Sequence, residues 1–253
     1  MFLLRYEIRK DEVLRYLGYK GQSIDASLDE LIESCRNEVR NLSDTKYLYE
    51  YFNIEHINEG VKVDNSDIIF KGNDIKKHLE NCRSIAIIAV TAGVNIEKHI
   101  KLTEKTNLTK ALIMDACTTT LVEEICDEIE EAIGIEAKSK ELNITGRYSP
   151  GYGDLPLDAQ RDVINLVNCD KRIGVNLSAH NILFPRKSVT AIIGLGKGLV
   201  KETEKEEKCL KCNKYASCTF RREGNNCGYG GRVYEDGRKR TDYTRRGKTD
   251  WNY

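Results

Sequence analysis

The chain has 253 residues and is 40% hydrophobic, enough for one sizeable buried core with an appendage. Its 40 basic and 40 acidic residues cancel, which removes any whole-chain charge argument for nucleic acid or for a strongly acidic partner. The balance is uneven: Lys201 to Tyr253 carries 14 basic and 9 acidic residues, a net of +5, leaving about −5 on Met1 to Val200.

The opening MFLLRYEIRKDE turns charged too early for a signal peptide, and no stretch approaches the apolar run needed to cross a bilayer. A cytoplasmic protein without membrane contact is expected. The first sixty residues read as helices followed by extended segments. In SIDASLDELIESCRNEVRNL, Leu28, Leu31, Ile32, Cys35, Val39 and Leu42 share one helical face, and Ser27 with Glu30 forms a capping-box pattern at its start. Tyr47 to Ile54 and Gly60 to Phe70 are aromatic or β-branched and predict strands. Asn73 or Asp74 is then placed to cap a short helix into Cys82. SIAIIAVTAG is a near-continuous apolar run ended by glycine, the pattern of a central strand, and Ile96 to Thr103 is helical.

Leu108 to Lys138 predicts a long helix, with Val122, Ile125, Ile129 and Ile133 at 3,4 spacing and Thr118 to Thr120 weakening it locally. Asn143 to Tyr148 predicts a short strand, Leu157 to Val167 an amphipathic helix started by Pro156, and Ile173 to Leu177 and Val189 to Leu195 two further strands. The fold class expected is α+β. GLGKGL at Gly194 to Leu199 lacks the Gly-Lys-Ser/Thr ending of a phosphate loop and terminates a strand instead. His180 has no ligand-spaced neighbour and predicts a hydrogen-bonded structural histidine.

The segment GRYSPGYGDLP, Gly146 to Pro156, holds two of the three prolines. Pro150 fixes its own φ, while Gly151 and Gly153 permit geometries that a Cβ forbids, so a stiff loop between strand and helix is expected. Arg147 beside it offers a fork of five donors suited to a carboxylate, with loop amides as further donors and Tyr148 or Tyr152 as a flat wall. Pairing of Arg147 with Asp154 or a nearby glutamate, as a purely structural turn, is an equal alternative on these grounds.

Taken in order, RYSPGYGDLPL from Arg147, Gln160, IGVNLS from Ile173 and FPRKSVTAIIGL from Phe184 to Leu195 resemble the activation domain of cobalamin-dependent methionine synthase, in its free-standing single-domain form. The resemblance covers Met1 to about Leu199 and implies a C-shaped domain, a twisted antiparallel sheet flanked by helices. It implies S-adenosylmethionine as ligand, its carboxylate on Arg147, its pocket lined by Pro150, Gly151, Tyr152 and Gly153 with Ser188 nearby, and its ammonium on an acidic residue of the preceding long helix. Glu123 is the best match, with Glu124 as a rival and Asp115 as a weaker candidate. The implied role is an accessory to a methyltransferase system rather than a complete enzyme. Cobalamin would be held by a partner methyltransferase or its cobalamin-binding module, and an electron would come from a donor such as flavodoxin. The chain departs from the family where Ser178, Ala179 and His180 replace a threonine–glutamate–serine series, and where Arg186 and Lys187 replace small residues.

Beyond the resemblance, residues 200–227 combine a charged linker with Cys209, Cys212, Cys218 and Cys227 in the spacing C-x2-C-x5-C-x8-C. Four thiolates in this pattern suit zinc or an iron–sulfur cluster. Residues 228–253 form a Gly/Arg/Tyr tail expected to be solvated, and the cysteine segment with this tail supports an alternative function as an adaptor binding RNA or protein. The other five cysteines, Cys35, Cys82, Cys117, Cys126 and Cys169, read as small buried hydrophobes.

Overall fold

The computed structural model describes residues 7–19 and 21–197. The linker, the four-cysteine segment and the tail, 200–253, lie outside the described residues. In chain order the elements are α1 (Lys10–Tyr16), α2 (Ala26–Leu42), β1 (Lys46–Ile57), β2 (Gly60–Val63), β3 (Ile69–Phe70), α3 (Asn73–His78), β4 (Cys82–Thr91) and α4 (Val94–Glu104). There follow α5 (Leu108–Ser139), β5 (Asn143–Ile144), α6 (Ala159–Leu166), α7 (Cys169–Ile173), β6 (Asn176–Leu177), β7 (Leu183–Phe184) and β8 (Ser188–Gly196).

Six strands form one antiparallel sheet in the order β3-β2-β1-β4-β8-β5, and β6 and β7 form a separate hairpin. The apolar run in β4 is explained by its central place, because helices cover the sheet on both sides and successive side chains alternate between them. Ala86, Ile88 and Val90 enter a core shared with α2, α4 and α5. Ile85, Ile87 and Ala89 enter a second core shared with α3, α6 and α7. All six are fully buried, so truncating one of these isoleucines to alanine costs about 2–5 kcal/mol.

The expected face of α2 packs as predicted, with Ile32, Cys35 and Val39 buried. Its start differs: the cap is Asp25, whose carboxylate accepts the Leu28 N–H at 2.7 Å. Ser27 lies within the first turn instead, and Glu30 just beyond it. α5 continues through its three threonines because the Thr118 and Thr119 hydroxyls donate back to Met114 O and Asp115 O, leaving the backbone ladder intact.

Three other boundaries shift. α3 ends at His78, before Cys82, and neither Asn73 nor Asp74 caps it, since the Asp154 carboxylate reaches in from the Arg147 loop to accept both N–H groups. Pro156 opens a turn that leads into α6 three residues later. The strand expected over Ile173 to Leu177 is α7 up to Ile173, then left-handed Gly174, then two residues of β6.

Gly194 and Gly196 of GLGKGL have a packing reason. A Cβ on Gly194 would stand 2.4 Å from Cys82 Sγ, and one on Gly196 would stand 1.9 Å from Asn81 O. β8 passes the irregular start of β4 too closely for any side chain there.

Candidate functional site

The segment after β5 continues along β8 as an irregular strand. Thr145 N–H donates to Gly194 O at 2.9 Å, and Tyr148 exchanges both backbone bonds with Ile192 at 2.9 and 2.8 Å. Tyr148 therefore shares Ile192's side of the sheet, the side of α3 and α6, and the preceding residue, Arg147, projects toward α5. The stiff loop predicted between Tyr148 and Leu157 is present. Gly151 N–H donates to Leu155 O, Tyr152 N–H to Ser149 O and Leu155 N–H to Tyr152 O. These three amides close the loop on itself, so they are not the free donors the sequence reading allowed for.

The loop is clipped to α3 at both ends. His78 Nε2 lies 3.0 Å from Gly146 O, and its ring packs against Tyr148 with centroids 4.9 Å apart. At the far end Asp154 accepts Asn73 N–H at 2.6 Å and Asp74 N–H at 3.0 Å. Gly153, in the left-handed region at φ 51°, passes where a Cβ would meet the Tyr148 hydroxyl at 2.4 Å. Pro150 is buried, whereas Gly151, Tyr152 and Gly153 are exposed.

Arg147 meets a stripe of acids on α5. Its Nη2 donates to Asp127 Oδ1 at 2.7 Å and lies 3.4 Å from Glu123 Oε2, while Nε lies 3.1 Å from Glu130 Oε2. Nη1 is buried without an oxygen acceptor. Burial by itself would weaken the guanidinium's hold on its proton, but Cys126, Asp127, Glu123 and Glu130 around it raise that hold above the ordinary value. Arg147 stays charged at any physiological pH.

The alternative in which Arg147 pairs within the protein is therefore realised with α5 and not with Asp154, which serves α3. Glu123, named for the ligand ammonium, stands 3.4 Å from Arg147 Nη2. Glu124 is turned about 100° round the helix and is buried, at 9% exposure. Tyr152 faces the same place: burial and the Glu123 charge push its phenol up, with Arg147 opposing them. Asp115 belongs to a different pairing, 2.9 Å from Lys187 Nζ, which also donates to Thr119 Oγ1 at 2.8 Å.

Ser188 is not at this cluster. It shares the parity of Thr190 and Ile192 along β8, its Oγ lies 2.6 Å from Pro185 O and 2.8 Å from Thr91 Oγ1, and it lines a groove of about 240 Å³ with Leu157, Gln160, Asn181, Ile182, Leu183 and Arg186. Gln160, 4% exposed, ties α6 to β8 through Thr190 Oγ1 at 2.6 Å. Sequence reasoning did not find Asp127, Glu130 or Glu97. The first two lie four and seven residues after Glu123, on the same helical face, and that spacing was available as a signal. Glu97, 7% exposed, accepts the Arg186 N–H at 2.8 Å and anchors the corner before β8; nothing in its local sequence marks it. His180 is exposed in the β6–β7 turn, with its backbone N–H on Ser178 Oγ.

Among the described residues no group of three metal-ligating side chains converges, and Cys209, Cys212, Cys218 and Cys227 lie outside them. Cys35, Cys82, Cys117, Cys126 and Cys169 are buried free thiols as expected. No described helix is long and apolar enough to cross a membrane.

No family model matches the chain, and no curated protein matches it. Among solved structures it is similar to the MetH reactivation domain bound to AdoHcy, at 11% identity and a TM-score of 0.53, over 72% of this chain and 71% of that one. This likeness shows the fold, a mixed α/β arrangement with an antiparallel sheet flanked by helices.

Proposed function

We propose that the protein binds S-adenosylmethionine and serves as an activation component for a partner cobalamin-dependent methyltransferase, supporting reductive remethylation of cob(II)alamin. The observation that carries this reading is the convergence of Arg147, Glu123 and Tyr152 beside a loop fastened at both ends. The fold likeness to a domain whose structure holds AdoHcy supports it. S-adenosylmethionine has a carboxylate, an ammonium and a sulfonium. Arg147 would take the carboxylate and Glu123 the ammonium, with Pro150, Gly151, Tyr152 and Gly153 walling the pocket. Ser188, which lines the separate groove with Gln160, is given no contact in this arrangement.

The overall reaction joins one-electron reduction of cob(II)alamin to transfer of the sulfonium methyl group, leaving S-adenosylhomocysteine, with the electron supplied by a donor of the flavodoxin type. The chain's own residues bind and aim the donor, and no general base is required, because the transferring methyl carries no proton away. The partner holds the cobalamin. The cysteine segment would carry zinc or an iron–sulfur cluster, and the whole would act in the cytoplasm.

Calorimetry with S-adenosylmethionine tests the site. Native protein binds, and Arg147→Ala weakens binding about 100-fold, the loss of a bidentate charge-assisted contact. Equal binding by both proteins refutes the assignment of Arg147. Mixing the protein with a cob(II)alamin-loaded methyltransferase, S-adenosylmethionine and reductant should yield the methylcobalamin spectrum. Since Arg147 is already paired with Asp127, the adaptor function is the competing reading. It predicts partner binding that survives Arg147→Ala and fails when Cys209 and Cys212 become serine.

A further inference from the structure

A guanidinium grips a carboxylate in two-point fashion along one of two edges, Nε with Nη2 or Nη1 with Nη2. The two edges use different hydrogens of Nη2, one on each side. In this protein Nη2 donates to Asp127 Oδ1 at 2.7 Å, its shortest contact, while Glu123 stands 3.4 Å away. Nε is already directed at Glu130, and Nη1 is buried.

With Nη1 buried, a ligand carboxylate reaches Arg147 by two points along the Nε–Nη2 edge, where Glu130 and Asp127 already stand, and so must displace Asp127. Binding at this site is an exchange of one carboxylate for another on the same guanidinium. The exchange is feasible because Asp127 is a short side chain one helical turn from Glu123, about one-third exposed, and can turn away to solvent without moving the backbone of α5.

We infer that Asp127 is an internal competitor for Arg147, a positioning residue that holds the guanidinium in register and sets the affinity of the site for carboxylate-bearing ligands. The inference rests on the reading of Arg147 given above and adds a specificity determinant to it. Glu123, the more distant acid, is the one proposed above for the ligand ammonium, so the two acids have opposite effects: Glu123 favours the ligand and Asp127 opposes it.

The test compares native protein with Asp127→Asn, which keeps the side-chain shape and removes the charge. Binding of S-adenosylmethionine and of its decarboxylated analogue is measured by calorimetry, with thermal unfolding of each protein as a check on folding. Asp127→Asn is expected to bind S-adenosylmethionine about two- to fivefold more tightly, the scale of a part-exposed ion pair. The decarboxylated analogue should bind both proteins alike, since it does not compete for Nη2. A general structural change would move both ligands together. Unchanged or weaker binding of S-adenosylmethionine by a folded Asp127→Asn protein overturns the inference, as does an equal gain for both ligands. If that variant does not fold, Asp127→Ser is measured in its place under the same criteria. If no protein in the set binds S-adenosylmethionine, the functional reading falls and this inference with it, a result distinct from binding without the predicted ordering.

Discussion

Replacing Asp154 by alanine isolates the clip that holds the Arg147 loop against α3. The carboxylate accepts two backbone N–H groups, at 2.6 and 3.0 Å, at the start of a six-residue helix whose cap residue, Gly72, offers no side chain. A helix so short has little stability of its own, so its start depends on this tertiary cap. Removing an aspartate cap costs about 0.5–2 kcal/mol, and the solvent exposure of Asp154 argues for the middle of that range, about 1 kcal/mol. For a folded unit of this size that lowers the melting temperature by about 2–4 °C. Asp154→Asn, which keeps a neutral acceptor, should lose roughly half as much. Urea unfolding gives the free energy, and amide exchange at Asn73 and Asp74 and across residues 149–157 locates it. The variant should exchange faster there and nowhere in β4. Native stability together with native exchange in the loop would refute the clip.

Burial pushes the Cys35 and Cys82 thiols up to about 11 and those of Cys117, Cys126 and Cys169 up to about 12. In the native protein at neutral pH, iodoacetamide followed by peptide mass analysis should leave all five unlabelled, and in urea it should label all five. Their folded values lie above the ordinary value of 9.0, so the stability they contribute is complete below pH 9 and is lost as pH rises toward 11 and 12. Each thiol in that window removes about 1.4 kcal/mol per pH unit. Tyr49, pushed up to about 12 by burial and its bond to Glu136, adds to the same alkaline loss. Melting temperature should stay level from pH 7 to 9 and fall steeply above it; a level profile to pH 11 contradicts the burial of these groups. At the other end of the chain, metal analysis and visible absorption on anaerobically purified protein should find one zinc or one iron–sulfur centre, lost when Cys209 and Cys212 are changed to serine.

What the sequence made legible follows from how local each signal is. β4 was readable because a strand covered on both faces is apolar at every position, and α5 because its 3,4 spacing persists over several turns. The caps were misplaced for opposite reasons. At α2 two local patterns compete within a few residues, and Asp25 wins over Ser27; at α3 the cap is a side chain some eighty residues away. α7 was missed because five residues ending at Gly174 show too little periodicity to separate helix from strand. Arg147 was named from its loop and Glu123 from the resemblance, but Asp127 was not, since a pairing between a loop arginine and a helix acid depends on how α5 lies over β8.

That placement also explains why the candidate site can be rigid without being a deep cavity. Asp115, Thr119, Glu123, Asp127 and Glu130 follow one another at helical spacing, so they form a straight polar seam of about 22 Å at 1.5 Å per residue. Lys187 closes one end of it and Arg147 the other half. Lys187 immediately precedes β8, and Arg147 precedes the residue paired with Ile192 in the middle of β8, so both cations are referenced to the same strand. The adjoining apolar side of α5 shares a core with that strand through Ile129, Ile133, Ala191 and Ile193. Any sliding of helix on sheet would break both cation pairings at once and expose this core. The separation of the two cations along α5 is consequently fixed by the core, and a ligand held at Arg147 as proposed would meet a surface of constant spacing along the rest of the seam.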